Sequence, residues 1–160
     1  MSPESTAHHT DQQLDALQHE VATFARRAEQ TRLAGVGPAR NSMDRAAYLL
    51  LSRLDQDGPA GVKALAAGMG IDSSTVTRQV APLVESGLVH RTADPDDGRA
   101  VVLQLSPRGT ARLEEVRASR CTLMALLTED WSEEERESFR TLLTRFNTSV
   151  ADWLNGSLPE

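Results

Sequence analysis

The chain has 160 residues, 39% hydrophobic and 25% charged, with a formal net charge of −6. That length suits one compact domain, or two small lobes sharing a core, and the composition is ordinary for a globular chain. No apolar run approaches the ~20 residues of a membrane-spanning helix. The opening "MSPESTAHHT" lacks the apolar centre of a leader peptide, and the single cysteine, Cys121, excludes an internal disulfide framework. A cytoplasmic protein without a membrane partner is therefore expected.

In chain order, residues 1–10 are polar, contain Pro3 and show no periodicity, which predicts a disordered tail. From Asp11 a helical stripe runs through Leu14, Leu17, Val21, Phe24 and Ala28 to about Leu33. "AGVGPARNS" breaks it. Asn41 or Ser42 can cap a second helix, in which Ala47, Leu50, Leu51 and Leu54 share a face until Gly58-Pro59 stops it. Two short helices follow, Val62–Met69 and Ser73–Ser86, separated by Gly70-Ile71-Asp72. "GLVHRT" and "RAVVLQLS" then flank "ADPDDG", the pattern of a β-hairpin with its turn cluster. Ser106-Pro107 supplies an N-cap and a proline at the first helical position, so a long helix starts there, with Leu113, Val116, Leu123, Met124 and Leu127 along it. Ser132 and Glu135 form a capping box for a last helix, lined by Phe139, Leu142, Leu143, Phe146, Val150, Trp153 and Leu154. The expected class is mainly α with a small β-hairpin wing: six helices, with a winged helix-turn-helix in the middle.

The negative charge argues against a nucleic-acid partner only until its placement is considered. Residues 101–160 carry ten acids against seven arginines, clustered between Glu129 and Glu137. Residues 61–100 hold Lys63, Arg78, Arg91 and Arg99, so any DNA contact rests on a few well-placed cations. In "DSSTVTRQVAPLVESG", Val76, Val80, Leu83 and Val84 fall within about 100° of one another and predict a buried face. Ser74, Thr77, Arg78 and Ala81 lie opposite. Small hydroxyls and one arginine can approach a groove floor closely, and arginine can bond guanine through two hydrogen bonds. The candidate DNA-contact set on this helix is Ser73, Ser74, Thr75, Thr77, Arg78 and Gln79. Serine and threonine at a helix start can equally be there for capping alone. Pro82 removes one helical hydrogen bond and predicts a kink beyond the groove-facing half.

In the hairpin loop, Asp94, Asp96 and Asp97 suggest calcium. A count begun at Asp94, however, puts Arg99 where an EF-hand needs glycine and Leu105 where it needs glutamate. His8, His9, His19 and His90 form no zinc spacing with Cys121, so no metal and no cofactor are expected. A better reading has Asp97 accept a charge-assisted bond from the Arg99 side chain and aim it. An arginine aimed from a thin hairpin tip can enter a narrow minor groove. Cys121, mid-helix among apolar neighbours, reads as a packed, inert thiol.

The stretch "LAAGMGIDSSTVTRQVAPLVESGLVHRTADPDDGRAVVLQLSPRGTARL", Leu65 to Leu113, resembles the MarR family of bacterial transcription regulators. "STVTR", "LVESGLV" and the "DPDDGRA…LS..G" wing carry the resemblance. It implies an intertwined winged helix-turn-helix homodimer on double-stranded DNA, a repressor or less often an activator of transcription, with the recognition helix in the major groove and the wing in the minor groove. Asp97 and Arg99 then match the family's wing acid and its groove-inserting arginine, while Gly98 stands where a second cation is usual. Thr77-Arg78 matches the recognition-helix pair. The resemblance assigns residues 41–106 to DNA binding and residues 11–40 and 107–156 to dimerisation. The terminal apolar stripes taken alone fit an intramolecular core equally well. It also implies a small-molecule effector, for which Arg45, Tyr48 and Trp131 are candidate lining residues, each also readable as structural. The competing reading is a winged-helix module for protein–protein contact, its acidic 129–137 segment meeting a basic partner. An enzyme is not expected, since the chain has no glycine-rich phosphate loop and no Gly-x-Ser-x-Gly.

Overall fold

A computed structural model describes residues 3–31, 43–94 and 97–157, with the side chains of 3–10 and 30–31 left aside. Eight elements follow in chain order: α1 (Pro3–Thr31), α2 (Arg45–Asp57), α3 (Val62–Met69), α4 (Ser73–Glu85), β1 (Val89–Ala93), β2 (Val101–Leu105), α5 (Pro107–Leu127) and α6 (Glu133–Leu154). The segment expected to be a disordered tail is helical from Pro3 onward. Proline suits the first helical position because the amide it lacks would have no partner there, so Pro3 marks a helix start. Leu33, Asn41 and Ser42 lie outside the described residues. The residue preceding α2 is Asp44, whose side chain makes no capping bond.

The helix-turn-helix is assembled from local signals. α3 ends at Gly70, whose φ of 65° is the left-handed conformation glycine adopts freely, and Ile71 N–H donates to the Ala66 carbonyl across that turn. α4 continues through Pro82 to Glu85, so the proline does not end the helix. β1 and β2 pair antiparallel, from Val89 opposite Leu105 to Ala93 opposite Val101. Ala60 adds a third short edge, exchanging backbone hydrogen bonds with Leu103 at 3.1 and 2.9 Å. α5 starts on the predicted Ser106-Pro107 cap, and α6 on the predicted Ser132–Glu135 box.

One core joins α2, α3, α4, the hairpin and the first half of α5. Leu50, Leu51 and Leu54 of α2, Leu65 of α3, and Val76, Val80 and Leu83 of α4 pack with Val89, Leu103, Leu113 and Val116. The first half of α5 is thus part of the lobe. Its second half leaves it, with Met124, Leu126 and Leu127 exposed.

The stripes of the terminal helices do not form an intramolecular core. Leu14, Leu17, Val21 and Phe24 of α1, and Phe139, Phe146, Val150 and Trp153 of α6, are between 38% and 68% exposed in the single chain. None of the described helices is long and apolar enough to cross a membrane.

Candidate nucleic-acid interface

α4 begins at Asp72, whose carboxylate gathers three hydrogen bonds. The Thr75 amide donates to Oδ1 at 2.8 Å, the Ser74 hydroxyl to the same oxygen at 2.5 Å, and the Thr75 hydroxyl to Oδ2 at 2.7 Å. The Ser74 hydroxyl foremost, then the Thr75 hydroxyl and amide, hold this carboxyl well below the usual carboxylate range. Thr77 donates its hydroxyl to the Ser73 carbonyl at 2.8 Å. The hydroxyl protons of Ser74 and Thr77 therefore point into their own helix. Each oxygen keeps lone pairs, so what this face offers a base edge is acceptors, together with the five donors of Arg78.

Ser73, Ser74, Thr77, Arg78 and Ala81 are exposed, and Val76, Val80 and Leu83 are buried, as the helical period requires. Two members of the expected contact set differ. Thr75 is half-buried and serves the cap. Gln79 is half-buried too, with its Oε1 enclosed and without a hydrogen-bond partner among the described residues. It sits one turn beyond Val76 and Thr75, at the seam between the exposed and buried faces, and packing claims it.

At the wing tip, Asp94 N–H donates to the Ala100 carbonyl at 2.9 Å, and Ala100 N–H to the Asp97 carbonyl at 2.8 Å. The expected grip of Asp97 on the Arg99 guanidinium is corrected. The Asp97 carboxylate accepts the backbone amide of Arg99 at 3.1 Å, a turn in which aspartate bonds two residues ahead. The acid thus shapes the backbone that carries Arg99, whose side chain is exposed. Asp96 lies outside the described residues. Lys63, in the first turn of α3, and Arg91, on β1, are further exposed cations of this lobe.

The effector candidates separate. Arg120 of α5 stacks its guanidinium 3.7 Å from the centre of the Tyr48 ring. Burial lowers the Arg120 pKa, opposed by Tyr48 and reinforced by the cation of Arg45. Arg117 donates to Asp55 at 2.6 Å, a bond that raises its pKa, with a further contribution from Tyr48. Arg117 and Arg120 therefore both reach one tyrosine between α2 and α5. The Trp131 ring instead meets Phe139 edge-on at 5.4 Å. Arg117, Arg120 and Asp55 escaped sequence reading because only the α2–α5 packing brings them to Tyr48. Asp72 also went unread as a cap, although an aspartate directly before "SST" is an N-cap signal. Cys121 is exposed, contrary to the packed thiol expected, because the second half of α5 projects from the lobe. No group of three His, Cys, Asp or Glu side chains that could hold a metal occurs among the described residues.

Residues 43–101, the span from α2 to the start of β2, match the sequence model of the MarR family. The chain is 34% identical over 139 residues to the uncharacterized HTH-type transcriptional regulator YxaD of Bacillus subtilis (strain 168), covering 87% of this chain and 96% of that one. The chain belongs to the MarR family. Its fold agrees with the crystal structure of the MarR family transcription regulator SP03579, with a TM-score of 0.72 at 26% identity over 92% of this chain and 98% of that one. The HTH-type transcriptional repressor MdtR of the same Bacillus strain is 32% identical over 101 residues, 63% of this chain and 61% of its own length. As a MarR-family protein the chain is a DNA-binding transcriptional regulator, and α3–α4 is its helix-turn-helix, followed by the β1–β2 wing.

Proposed function

We propose that two copies of this MarR-family chain clamp a near-palindromic operator and repress transcription until a small anionic molecule releases them. α4 enters the major groove, where Arg78 donates to guanine or phosphate and the Ser74 and Thr77 oxygens accept from base amino groups. Arg99 enters the minor groove from the wing turn that Asp97 shapes. The observation that carries this reading is the division of α4: Val76, Val80 and Leu83 are buried in the core with Val84 half-buried beside them, and the N-terminal half of the opposite face exposes Ser73, Ser74, Thr77 and Arg78.

The second copy is called for by the terminal helices. A row of half-exposed phenylalanines, leucines and tryptophan is more apolar surface than a lone chain keeps in water, and α1, the outer half of α5 and α6 carry it together. A two-fold pair spaces its recognition helices about one turn of duplex, roughly 34–36 Å, apart. The repressor reading follows the likeness to MdtR. The effector reading rests on Arg117 and Arg120 meeting the Tyr48 ring between α2 and α5, guanidinium groups and an aromatic face of the kind an anionic aromatic molecule would engage.

Footprinting of genomic operator fragments with Arg78→Ala and Arg99→Ala tests the DNA reading. Both variants should lose protection while remaining dimeric, and parental footprints from both would overturn it. Salt gives a second check. If only Arg78 and Arg99 of each chain meet phosphates, the log–log slope of affinity against salt is about −4, and it reaches about −7 if Lys63 and Arg91 join them.

A further inference from the structure

The base of the wing is tied to both helices that flank it. Ser106 is the one polar side chain buried in the core among the described residues, at 5% exposure. Its amide donates to the Leu88 carbonyl at 3.0 Å. Its hydroxyl donates to the Gly87 carbonyl at 2.7 Å, lies 3.2 Å from the Leu88 carbonyl, and accepts the Gly109 amide at 2.8 Å. Leu88 N–H in turn donates to Leu83 O at 2.9 Å, and Gly87 N–H to Val84 O at 3.0 Å, both in α4. Gly109 completes the junction by what it lacks: a Cβ there would stand 2.0 Å from the Leu88 oxygen, so α5 rests directly on that carbonyl. The end of α4, the start of β1, the end of β2 and the first turn of α5 meet at this one point.

Capping α5 needs only the bond from Gly109 to the Ser106 oxygen. The donation to Gly87, nineteen residues earlier in the chain, does nothing for that helix. Its effect is to join α4 to the wing. A two-stranded ribbon has little stiffness of its own, so its direction relative to α4 is set where it is rooted. The serine hydroxyl uses its proton and its oxygen at once, and deleting it leaves a part-buried carbonyl and a buried amide each short of a partner.

We propose that Ser106 and Gly109 are positioning residues for DNA reading. They hold α4 and the wing at one mutual angle, so that Arg78 and Arg99 reach a single duplex together. This rests on the DNA-contact reading given above. Without the tie both elements stay folded but swivel, and their alignment must be achieved at the moment of binding, at a loss of affinity.

The test is a set of double-mutant cycles on operator affinity, in the full-length dimer at one salt concentration. In the parent, Arg99→Ala and Ser106→Ala should each weaken binding by about tenfold. In the Ser106→Ala background, Arg99→Ala should cost less than about threefold, while Arg78→Ala should cost the same in both backgrounds. A general loss of stability would not single out the wing arginine in this way. Ser106→Thr, which keeps the hydroxyl, should restore affinity and the Arg99 effect. Where the alanine variant does not fold, Ser106→Cys, near-isosteric with a weak thiol donor, enters the same cycles. An Arg99 effect undiminished in the serine variants would overturn the positioning role. An Arg99→Ala protein that binds like the parent with Ser106 intact would overturn the DNA-contact reading itself, and the positioning role with it.

Discussion

Replacing Gly109 by alanine sets two opposed effects against each other at one position. Gly109 lies in the first turn of α5, where alanine would ordinarily stabilise a helix by about 1 kcal/mol over glycine. Here, however, the new Cβ would stand 2.0 Å from the Leu88 carbonyl oxygen, 3.0 Å from its carbon and 3.1 Å from Leu105 Cδ2. The nearest obstacle is backbone, itself bonded to Ser106, so α5 and the α4–β1 connection must separate by more than an ångström. Overpacking of that kind costs roughly 3 kcal/mol, which outweighs the propensity gain and leaves a net loss of about 2 kcal/mol. In a chain of this length that lowers the melting temperature by about 4–8 °C. Calorimetry at one fixed protein concentration, needed because the proposed dimerisation would couple to melting, reads it directly. Urea unfolding should show a lower midpoint at an unchanged slope. Gly98→Ala in the wing turn is the control: nothing lies within 4 Å of its Cβ position and its φ is not positive, so the change should be neutral or slightly stabilising. A Gly109→Ala protein that melts at or above the parent temperature would refute the close approach.

Further outcomes are expected elsewhere. Phe146→Glu, on the exposed stripe of α6, should convert the dimer to monomers in sedimentation velocity while leaving the lobe folded, and an unchanged dimer would remove α6 from the interface. Leu113→Ala, at a fully buried site in the lobe, should lose about 2–5 kcal/mol of stability in urea titration. Asp72 ionises at lower pH folded than unfolded, so its stabilisation is complete above the ordinary value of 3.8 and is lost as pH falls through the lower folded value. Asp72→Asn should flatten that acid limb in unfolding measured between about pH 2 and 5. Arg117 and Asp55, each about one-third exposed, should show a coupling of about 1 kcal/mol or less in a double-mutant cycle. Arg120→Ala should leave operator affinity intact and abolish its response to anionic aromatic compounds, read by mobility shift.

Local signals located most of the fold. Val62–Met69 coincides with the helix expected from its flanking glycines, and the Ser106-Pro107 start and the Ser132–Glu135 box stand where capping chemistry puts them. The alternation of α4 separated Val76, Val80 and Leu83 from Ser74, Thr77 and Arg78 because a helix period needs no knowledge of its neighbours. What escaped depended on neighbours. Asp97 could bond the amide or the guanidinium of Arg99, and residue types do not choose between them. Arg120 meets Tyr48 across 72 positions of sequence, a contact made by packing α2 on α5. The need for glycine at 109 arises from a carbonyl twenty-one residues away. The terminal stripes were visible as stripes. Only the exposure of Phe24 and Trp153 showed that their own chain does not cover them.

The continuity of α5 has a mechanical consequence. Its first turn is seated on the α4–β1 carbonyl and its far end lies among the exposed apolar side chains, with no break over Pro107–Leu127. Twenty-one residues of helix make a rigid lever about 31 Å long. Tilting such a rod by about 10° carries one end some 5 Å past the other, roughly the rise of one and a half base pairs at 3.4 Å per step. On the proposed reading, a molecule lodged beside Tyr48 and Arg120, about 20 Å along the rod from its seated turn, would have to displace it by only about 3 Å to throw two reading heads out of step with the helical pitch of the operator.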